Sequence, residues 1–213
     1  MSTNSTAQLK RVVELLNDHY KAFYDAVAAA RETRHPVPVD SRAWSQIIVS
    51  MLTGIKGLER KKGADLEGGS DVKAANTWEA IDTPRFNGVI KAGTKALVSG
   101  KLESLDGTPY IFLVLWDKRP TGVHRCRIWC VRPQHDKFFR KVCKTWYQQA
   151  EAGEITSSNF QLHPPRGKDN NIIRNKCGNL SYPLLLCAER AEDTYEVKTY
   201  HPYVLKTGAC EKA

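Results

Sequence analysis

The segment 63–74 carries two carboxylates and a lysine around a pair of glycines. Asp65 precedes Gly68-Gly69, and Asp71 and Lys73 follow it. Two carboxylates held a few ångströms apart repel each other, which favours a hard divalent cation such as Mg²⁺ between them. A bound cation of this kind activates water or polarises a phosphate oxygen, and a lysine on the same face can position the water. These groups therefore suit the hydrolysis of a phosphodiester.

The alternation of polar and apolar residues on both sides of the glycines predicts a β-hairpin with the three-residue loop Gly68–Ser70. In that register Asp65 lies opposite Lys73, and Glu67 lies opposite Asp71, so the four charged side chains share one face. A two-residue loop would mix apolar and charged residues on each face. We therefore expect the longer loop, with Glu67 as an alternative fourth member of the site.

An acid-x-Lys triplet also arises by chance, and a solvated hairpin face alternates in the same way. The chain contains three such triplets, at Glu59, Asp71 and Glu196. The triplet at Asp71 differs in its context, because it has a second acid across a glycine turn, an amphipathic helix before it, and buried strands and a helix after it. This context favours chemistry at Asp71 over a surface feature.

Helices and strands alternate around this segment. Apolar residues recur every three or four positions over 9–27 and over 44–55, which predicts two amphipathic helices. The apolar run 110–116 predicts a strand buried on both faces, with 126–131 as its neighbour. A third helix is predicted over 136–151. We expect loops over 83–108 and 153–180, and two further strands over 182–187 and 195–200.

Over roughly residues 41–151, the chain resembles the PD-(D/E)xK nuclease superfamily. The resemblance rests on Asp65, on Asp71-Val72-Lys73, and on the two strands and the helix that follow. It implies a mixed α/β fold with a central mixed β-sheet flanked by helices, in which Asp65 and Asp71 bind Mg²⁺ and Lys73 assists the attacking water. At this chain length, the best-known members of the superfamily are type II restriction endonucleases.

The sequence departs from the family pattern in two places. Ala64 stands where the family often has proline, and only five residues separate Asp65 from Asp71. A similarly short segment occurs in the related mismatch-repair nicking endonuclease, which also places a helical glutamate upstream. Glu59 is the candidate for that part here, with a solvated surface charge as the alternative.

Basic residues are concentrated in one part of the chain. The formal net charge is +9, and over 118–144 nine lysines and arginines are opposed by Asp136 alone. Clustered basic side chains bind phosphates, so we expect DNA contacts here rather than only a solvated face. The candidates in this segment are Arg125, Arg127, Arg132, Lys137, Arg140 and Lys141.

The loop 153–180 is dense in side chains that read base edges, because arginine pairs with guanine and asparagine or glutamine with adenine. Pro164-Pro165 is stiff enough to hold them in place. A plain surface loop or a dimer contact is the alternative. The candidates are Gln161, His163, Arg166, Lys168, Asn170, Asn171 and Arg174, with Asn76, Trp78 and Arg85 as weaker ones.

Composition disfavours a membrane-spanning protein, a secreted protein and a zinc protein. The chain has 213 residues, 41 % of them hydrophobic and 26 % charged, which is typical of a globular protein. It contains no apolar run long enough for a membrane span, and its start does not resemble a secretory signal. The six cysteines include no CxxC pair, so we expect reduced thiols in the cytoplasm of a prokaryotic cell and no zinc site.

These observations favour one nuclease domain over 1–213. We expect an N-terminal helix in 1–34, the catalytic core in 41–151, the recognition loop in 153–180, and strands and a tail in 181–213. The resemblance implies a Mg²⁺-dependent type II restriction enzyme that cuts both strands of a short symmetric site in double-stranded DNA, as a homodimer. The alternatives are a monomeric DNA nicking or repair nuclease and a non-catalytic basic nucleic-acid-binding domain.

Overall fold

Five strands form a mixed central sheet in the computed structural model, which describes residues 3–33, 40–58, 63–90, 102–157, 159–207 and 211–212. The strands are β1 Asp71–Asn76, β2 Ile111–Lys118, β3 His124–Val131, β6 Leu184–Ala191 and β7 Thr194–Tyr200, in the order β1-β2-β3-β6-β7. β1 and β2 run parallel, and the other neighbours are antiparallel. The predicted mixed sheet is confirmed for these residues.

The central strand β2 is buried on both faces, as its continuous apolar run predicts. Ile111 to Asp117 are all buried. Successive side chains point to opposite faces, so Phe112, Val114 and Trp116 contribute to one core cluster and Ile111, Leu113 and Leu115 to the other. The sheet therefore lies between two apolar layers.

One layer consists of α1 Thr3–Thr33 and α2 Arg42–Thr53, whose apolar stripes pack on the sheet. α2 ends at Gly54, where a φ of 75° suits glycine. The other layer contains α4 Lys137–Glu151, which begins at Asp136; the carboxylate of Asp136 accepts a hydrogen bond from the Phe139 amide over 2.9 Å. The three predicted helices are confirmed.

The predicted hairpin before β1 is wrong. Residues Glu67–Gly69 form a 3₁₀ turn, and Leu66 pairs with Gly57 rather than with β1. Gly68 and Gly69 have φ values of 72° and 92°, which allow a turn so tight that the Leu66 amide donates to the Ser70 carbonyl over 3.0 Å. A tight turn anchored by one buried leucine gives the same polar–apolar alternation as a hairpin.

The region 153–180 is more regular than its composition indicates. It contains β4 Ile172–Asn175 and β5 Gly178–Ser181, which form a three-stranded sheet with β8 Glu211–Lys212. These strands are short, and each buries a single side chain fully, so hydropathy alone does not distinguish them from a loop. Single-turn helices α3 Glu103–Asp106 and α5 Val204–Thr207 complete the described elements.

Within the described part of the chain, no helix is both long and apolar enough to cross a membrane. The five cysteines that the structure describes are not paired in disulfides. Cys210 lies outside the described residues.

Candidate active site

Asp71 and Lys73 lie at the start of β1 and share one face of the sheet, because they are two residues apart on a strand. The Asp71 amide donates to the Tyr110 carbonyl over 3.0 Å, which fixes the beginning of β1 against β2. Lys73 Nζ lies 2.7 Å from Asp71 Oδ2, and each side chain is about one-fifth exposed. The pair is thus ordered but still open to a ligand.

Asp65 reaches the same place through the turn rather than through a strand. Its carbonyl accepts a hydrogen bond from the Leu58 amide over 2.8 Å, and the next residue, Leu66, is fully buried. The Val72 amide donates to Asp65 Oδ2 and to Asp71 Oδ1, over 3.0 Å each. The structure therefore brings Asp65, Asp71 and Lys73 together, although not in the predicted hairpin register.

The two carboxylates differ in their pKa values. Burial and the hydrogen bond with Asp65 raise the pKa of Asp71 to about 6, despite the neighbouring Lys73 ammonium. Burial also opposes ionisation of Asp65. Hydrogen bonds from Asp71, from the Val72 amide and from the side chain of Gln46, together with the Lys73 charge, outweigh it and lower the pKa of Asp65. The pair is therefore poised to share a proton, with Asp71 as its donor.

This arrangement fits a divalent cation. A cation between the carboxylates would supply the positive charge that the shared proton supplies in its absence. No cluster of three or more His, Cys, Asp and Glu suited to a metal occurs among the described residues. Two carboxylates match Mg²⁺ better than zinc or calcium, because Mg²⁺ keeps several waters and commonly binds through one or two carboxylates plus phosphate oxygens.

A cavity of about 310 Å³ opens beside the carboxylates, and we refer to it as the basic pocket. Its lining includes Arg42, Asp65, Lys73, Arg85 and Asn87. A second cavity of about 390 Å³ includes both Asp71 and Lys73, so the lysine borders both spaces. The basic pocket combines cationic side chains with the Asp65 carboxylate, and Asp71 lines the second cavity. This charge distribution suits a phosphodiester next to a divalent cation.

Sequence reasoning missed Gln46 and Arg42, which lie on α2. Gln46 lies two residues after Trp44, and its partly buried side chain makes a hydrogen bond with Asp65. A polar residue at the edge of the apolar face of an amphipathic helix was the available signal. Arg85, a weaker candidate for reading bases, lines the basic pocket instead.

The two glutamates considered for the site have different outcomes. Glu67 is exposed on the 3₁₀ turn, outside both cavities that the described residues form near Asp71. The structure therefore does not bring Glu67 together with the carboxylate pair. Glu59 lies outside the described residues.

Four of the predicted DNA contacts are buried, and the prediction is wrong for them. Arg125 and Arg127 are 3 % and 2 % exposed and form ion pairs with the fully buried Asp117. Asn76 is 7 % exposed, and its side-chain oxygen accepts a hydrogen bond from the Trp78 amide. Trp78 is itself in the core. A basic run on a strand does not reveal from sequence that a buried acid faces it.

The other candidates in the basic segment divide into two groups. Arg132 donates to the Lys206 carbonyl, and Arg140 pairs with Asp106 over 2.8 Å. Lys137 and Lys141 are exposed on the outer side of α4. Of these four candidates, Lys137 and Lys141 are the exposed ones, so they present the cationic surface that the charge run predicts.

The region 159–176 presents some of its polar side chains to solvent and uses others internally. Arg166, Lys168 and Arg174 are exposed. The Asn170 and Asn171 side-chain oxygens accept hydrogen bonds from the Ile172 amide and the Trp129 indole. Gln161 and His163 are partly buried and line a small cavity of about 70 Å³. Burial lowers the pKa of His163, as do the nearby charges of Arg85 and Lys176.

Comparison with known proteins gives one family. A family model described as MamI restriction endonuclease matches residues 28–196. The type II restriction enzyme MamI of Microbacterium ammoniaphilum is 34 % identical over 167 residues, which cover 72 % of this chain and 53 % of that enzyme. The chain thus spans about half the length of this curated relative. No solved structure gives a significant match.

Proposed function

Because the chain belongs to the MamI restriction endonuclease family, we propose that it is a Mg²⁺-dependent, sequence-specific endonuclease of double-stranded DNA. The observation that carries this proposal is the convergence of Asp65, Asp71 and Lys73 beside the basic pocket. The same convergence, on a mixed sheet between helices, supports a PD-(D/E)xK core. The relative's printed name supports the reaction class.

The roles of the residues follow from their contacts. Asp65 and Asp71 would hold Mg²⁺, which when bound supplies activation of water and polarisation of the phosphate. Lys73, which pairs with Asp71 and borders both cavities, would orient the attacking water and offset charge on the phosphate. Hydrogen bonds from Asp71 and the Val72 amide, with smaller contributions from the Lys73 charge and Gln46, lower the pKa of Asp65 and favour its ionised form.

Binding of DNA is assigned to the exposed cations that remain after the buried arginines are excluded. Arg42 and Arg85 in the basic pocket are placed to bind phosphates next to the reacting one. Lys137 and Lys141 on α4 would add phosphate contacts farther along. Arg166, Lys168 and Arg174 are the candidates for base edges. Affinity for DNA should therefore fall steeply with salt.

A homodimer is part of the proposal, because a two-fold dimer matches the symmetry of a short palindromic site. Light scattering tests it, with a mass of two chains expected on its own or with a symmetric duplex. A single chain that still cuts both strands would contradict the dimer without affecting the chemistry.

The proposed activity is tested by incubating supercoiled plasmid with the protein, with and without Mg²⁺, beside Asp71→Ala. Discrete linear fragments that need Mg²⁺ and Asp71 are expected. Nicked circles that persist would indicate the nicking or repair nuclease instead. DNA binding without cleavage, unchanged in Asp71→Ala, would support the non-catalytic domain and overturn both nuclease assignments.

A further inference from the structure

A cluster of buried charged side chains lies at the end of β2, on the face of the sheet that also carries Asp71 and Lys73. Asp117 is fully buried there. It accepts two hydrogen bonds from Arg125, over 2.8 and 3.0 Å, and one from Arg127, over 2.8 Å. We refer to these three residues as the clamp. The catalytic chemistry proposed above does not use it.

The clamp is bonded to the main chain of residues 164–170, which we call the clamped loop. Its two arginines donate to three loop carbonyls over 2.8–2.9 Å, those of Pro165, Lys168 and Asn170. The loop donates in return, from the Gly167 amide to Asp117 Oδ2 over 3.1 Å. Four main-chain groups of a seven-residue segment are therefore tied to one buried centre.

A further ion pair closes the clamp from the solvent side. Asp169, which is nearly half exposed, lies 2.6 Å from Arg125 and 3.2 Å from Arg119. The main-chain carbonyls of the loop turn inward to the arginines, while the side chains of Arg166 and Lys168 are exposed. The loop thus presents two cations on a backbone that is held from below.

The clamped loop is also joined to the wall of the basic pocket. Leu162, two residues before it, pairs with Phe86 through two main-chain hydrogen bonds of 2.8 and 3.1 Å. The residues on either side of Phe86, Arg85 and Asn87, line the basic pocket. The position of the loop is therefore set relative to the candidate active site.

We infer that the Asp117–Arg125–Arg127 clamp positions the loop 164–170 for reading of the DNA sequence, so that Arg166 and Lys168 meet the base edges in one fixed arrangement. This inference rests on the proposed function. A buried ion cluster gains little net stability over apolar packing, but its directional hydrogen bonds satisfy loop carbonyls that apolar side chains would leave unpaired. A preorganised loop loses less entropy on binding and discriminates better between sequences.

The test compares sequence selection by the wild type, Asp117→Asn and Asp169→Asn from a library of randomised duplexes, with Ca²⁺ in place of Mg²⁺. Asp117→Asn leaves two buried arginines with a neutral partner, so the preference for the selected sequence should fall about tenfold. Hydrogen exchange of the loop amides should accelerate at least about tenfold. Cleavage of the selected sequence at saturation with Mg²⁺ should stay within about threefold, because the carboxylate pair is untouched.

Asp169→Asn keeps the proposal testable if Asp117→Asn does not fold, because the Asp169 side chain is nearly half exposed. The preference of this variant for the selected sequence should fall about threefold. The matched control is Asp136→Asn. This residue is a buried aspartate just before α4 that bonds to Phe139 and Tyr182 and makes no bond to the loop. It should lower stability without changing selection.

The outcomes separate this inference from the proposed function. A wild-type protein that selects no sequence contradicts the proposed function and the clamp together. A wild type that selects a sequence, with variants that keep its preference, overturns the clamp alone. If Asp136→Asn lost the sequence preference too, the clamp would also be overturned, because general destabilisation would then explain the loss in the clamp variants.

Discussion

Asp65 and Asp71 share a single donor, the main-chain amide of Val72, which lies 3.0 Å from one oxygen of each carboxylate. This amide holds the two partly buried carboxylates next to each other, while Gln46 also contacts Asp65 and Lys73 pairs with Asp71. Repulsion between the carboxylates contributes to the raised pKa of Asp71. In the proposed function, Mg²⁺ would relieve this repulsion at a site that the fold has already formed.

Asp71→Asn should raise the melting temperature in EDTA by about 3 °C while abolishing Mg²⁺-dependent cleavage. The buried charge of Asp71 is the unfavourable one, so a neutral amide of the same shape relieves the repulsion. Asp65→Asn should give no such gain, because hydrogen bonds stabilise the ionised form of Asp65. Thermal unfolding in EDTA and a plasmid assay measure the two effects. Equal shifts in both variants would contradict the assignment.

Lys73→Met should slow cleavage about 100-fold or more while leaving DNA affinity in Ca²⁺ within about threefold. In the proposed mechanism the ammonium group acts on the reacting phosphate and water, whereas other cations provide most of the binding. Single-turnover cleavage and fluorescence anisotropy separate the two quantities. A loss of affinity equal to the loss of rate would indicate that Lys73 only binds.

The control for Lys73 is Lys198→Met in the triplet Glu196-Val197-Lys198. Lys198 also pairs with the acid two residues before it, but both side chains are about half exposed. Among the described residues, the same three-residue pattern therefore forms an ion pair next to a second carboxylate at Asp71 and on the surface at Glu196. Lys198→Met should cleave DNA at the wild-type rate.

The sequence predicts the elements with strong periodicity and misses those set by tertiary contacts. β2, β3, α2 and α4 follow from their apolar patterns. The nearness of Asp65 to Asp71 was expected for the wrong reason, because alternation does not distinguish a hairpin from a tight turn around Leu66. Arg125 and Arg127 were misassigned to the surface, since their burial depends on Asp117 across the strand pair. Gln46 was missed because its partner lies on another element.

The free energy of unfolding should fall as the pH is lowered from about 6.5 to 4. Burial lowers the pKa of His19 to about 4, and its ring packs against Trp78 and Trp116. Above pH 6.5 the ring is neutral in both states. Below it, the unfolded chain binds a proton that the folded protein excludes, which costs about 2 kcal/mol by pH 5. Burial, with the charges of Lys118 and Arg190, lowers the pKa of His124 to about 4 as well.

Urea denaturation at pH 7.5 and pH 5.0 measures this dependence. In His19→Phe the decrease between the two pH values should be about 2 kcal/mol smaller than in the wild type. His135→Gln, at an exposed histidine, should leave the decrease unchanged. A wild-type decrease retained in His19→Phe would show that His19 is protonated equally in both states.

Gly69→Ala should destabilise the protein more than Gly68→Ala, although the two glycines are adjacent in the turn. Both have positive φ, so an alanine at either position costs about 1–2 kcal/mol. At Gly68 the new Cβ enters open space, whereas at Gly69 it would lie 2.7 Å from the Gly107 carbonyl oxygen.

Relief of the contact between the Gly69→Ala side chain and Gly107 moves the turn and, with it, Ser70 and Asp71. Gly69→Ala should therefore also lose most Mg²⁺-dependent cleavage, while Gly68→Ala keeps it. Urea denaturation and the plasmid assay measure both effects, and equal results for the two variants would show that the approach to Gly107 does not position the carboxylates.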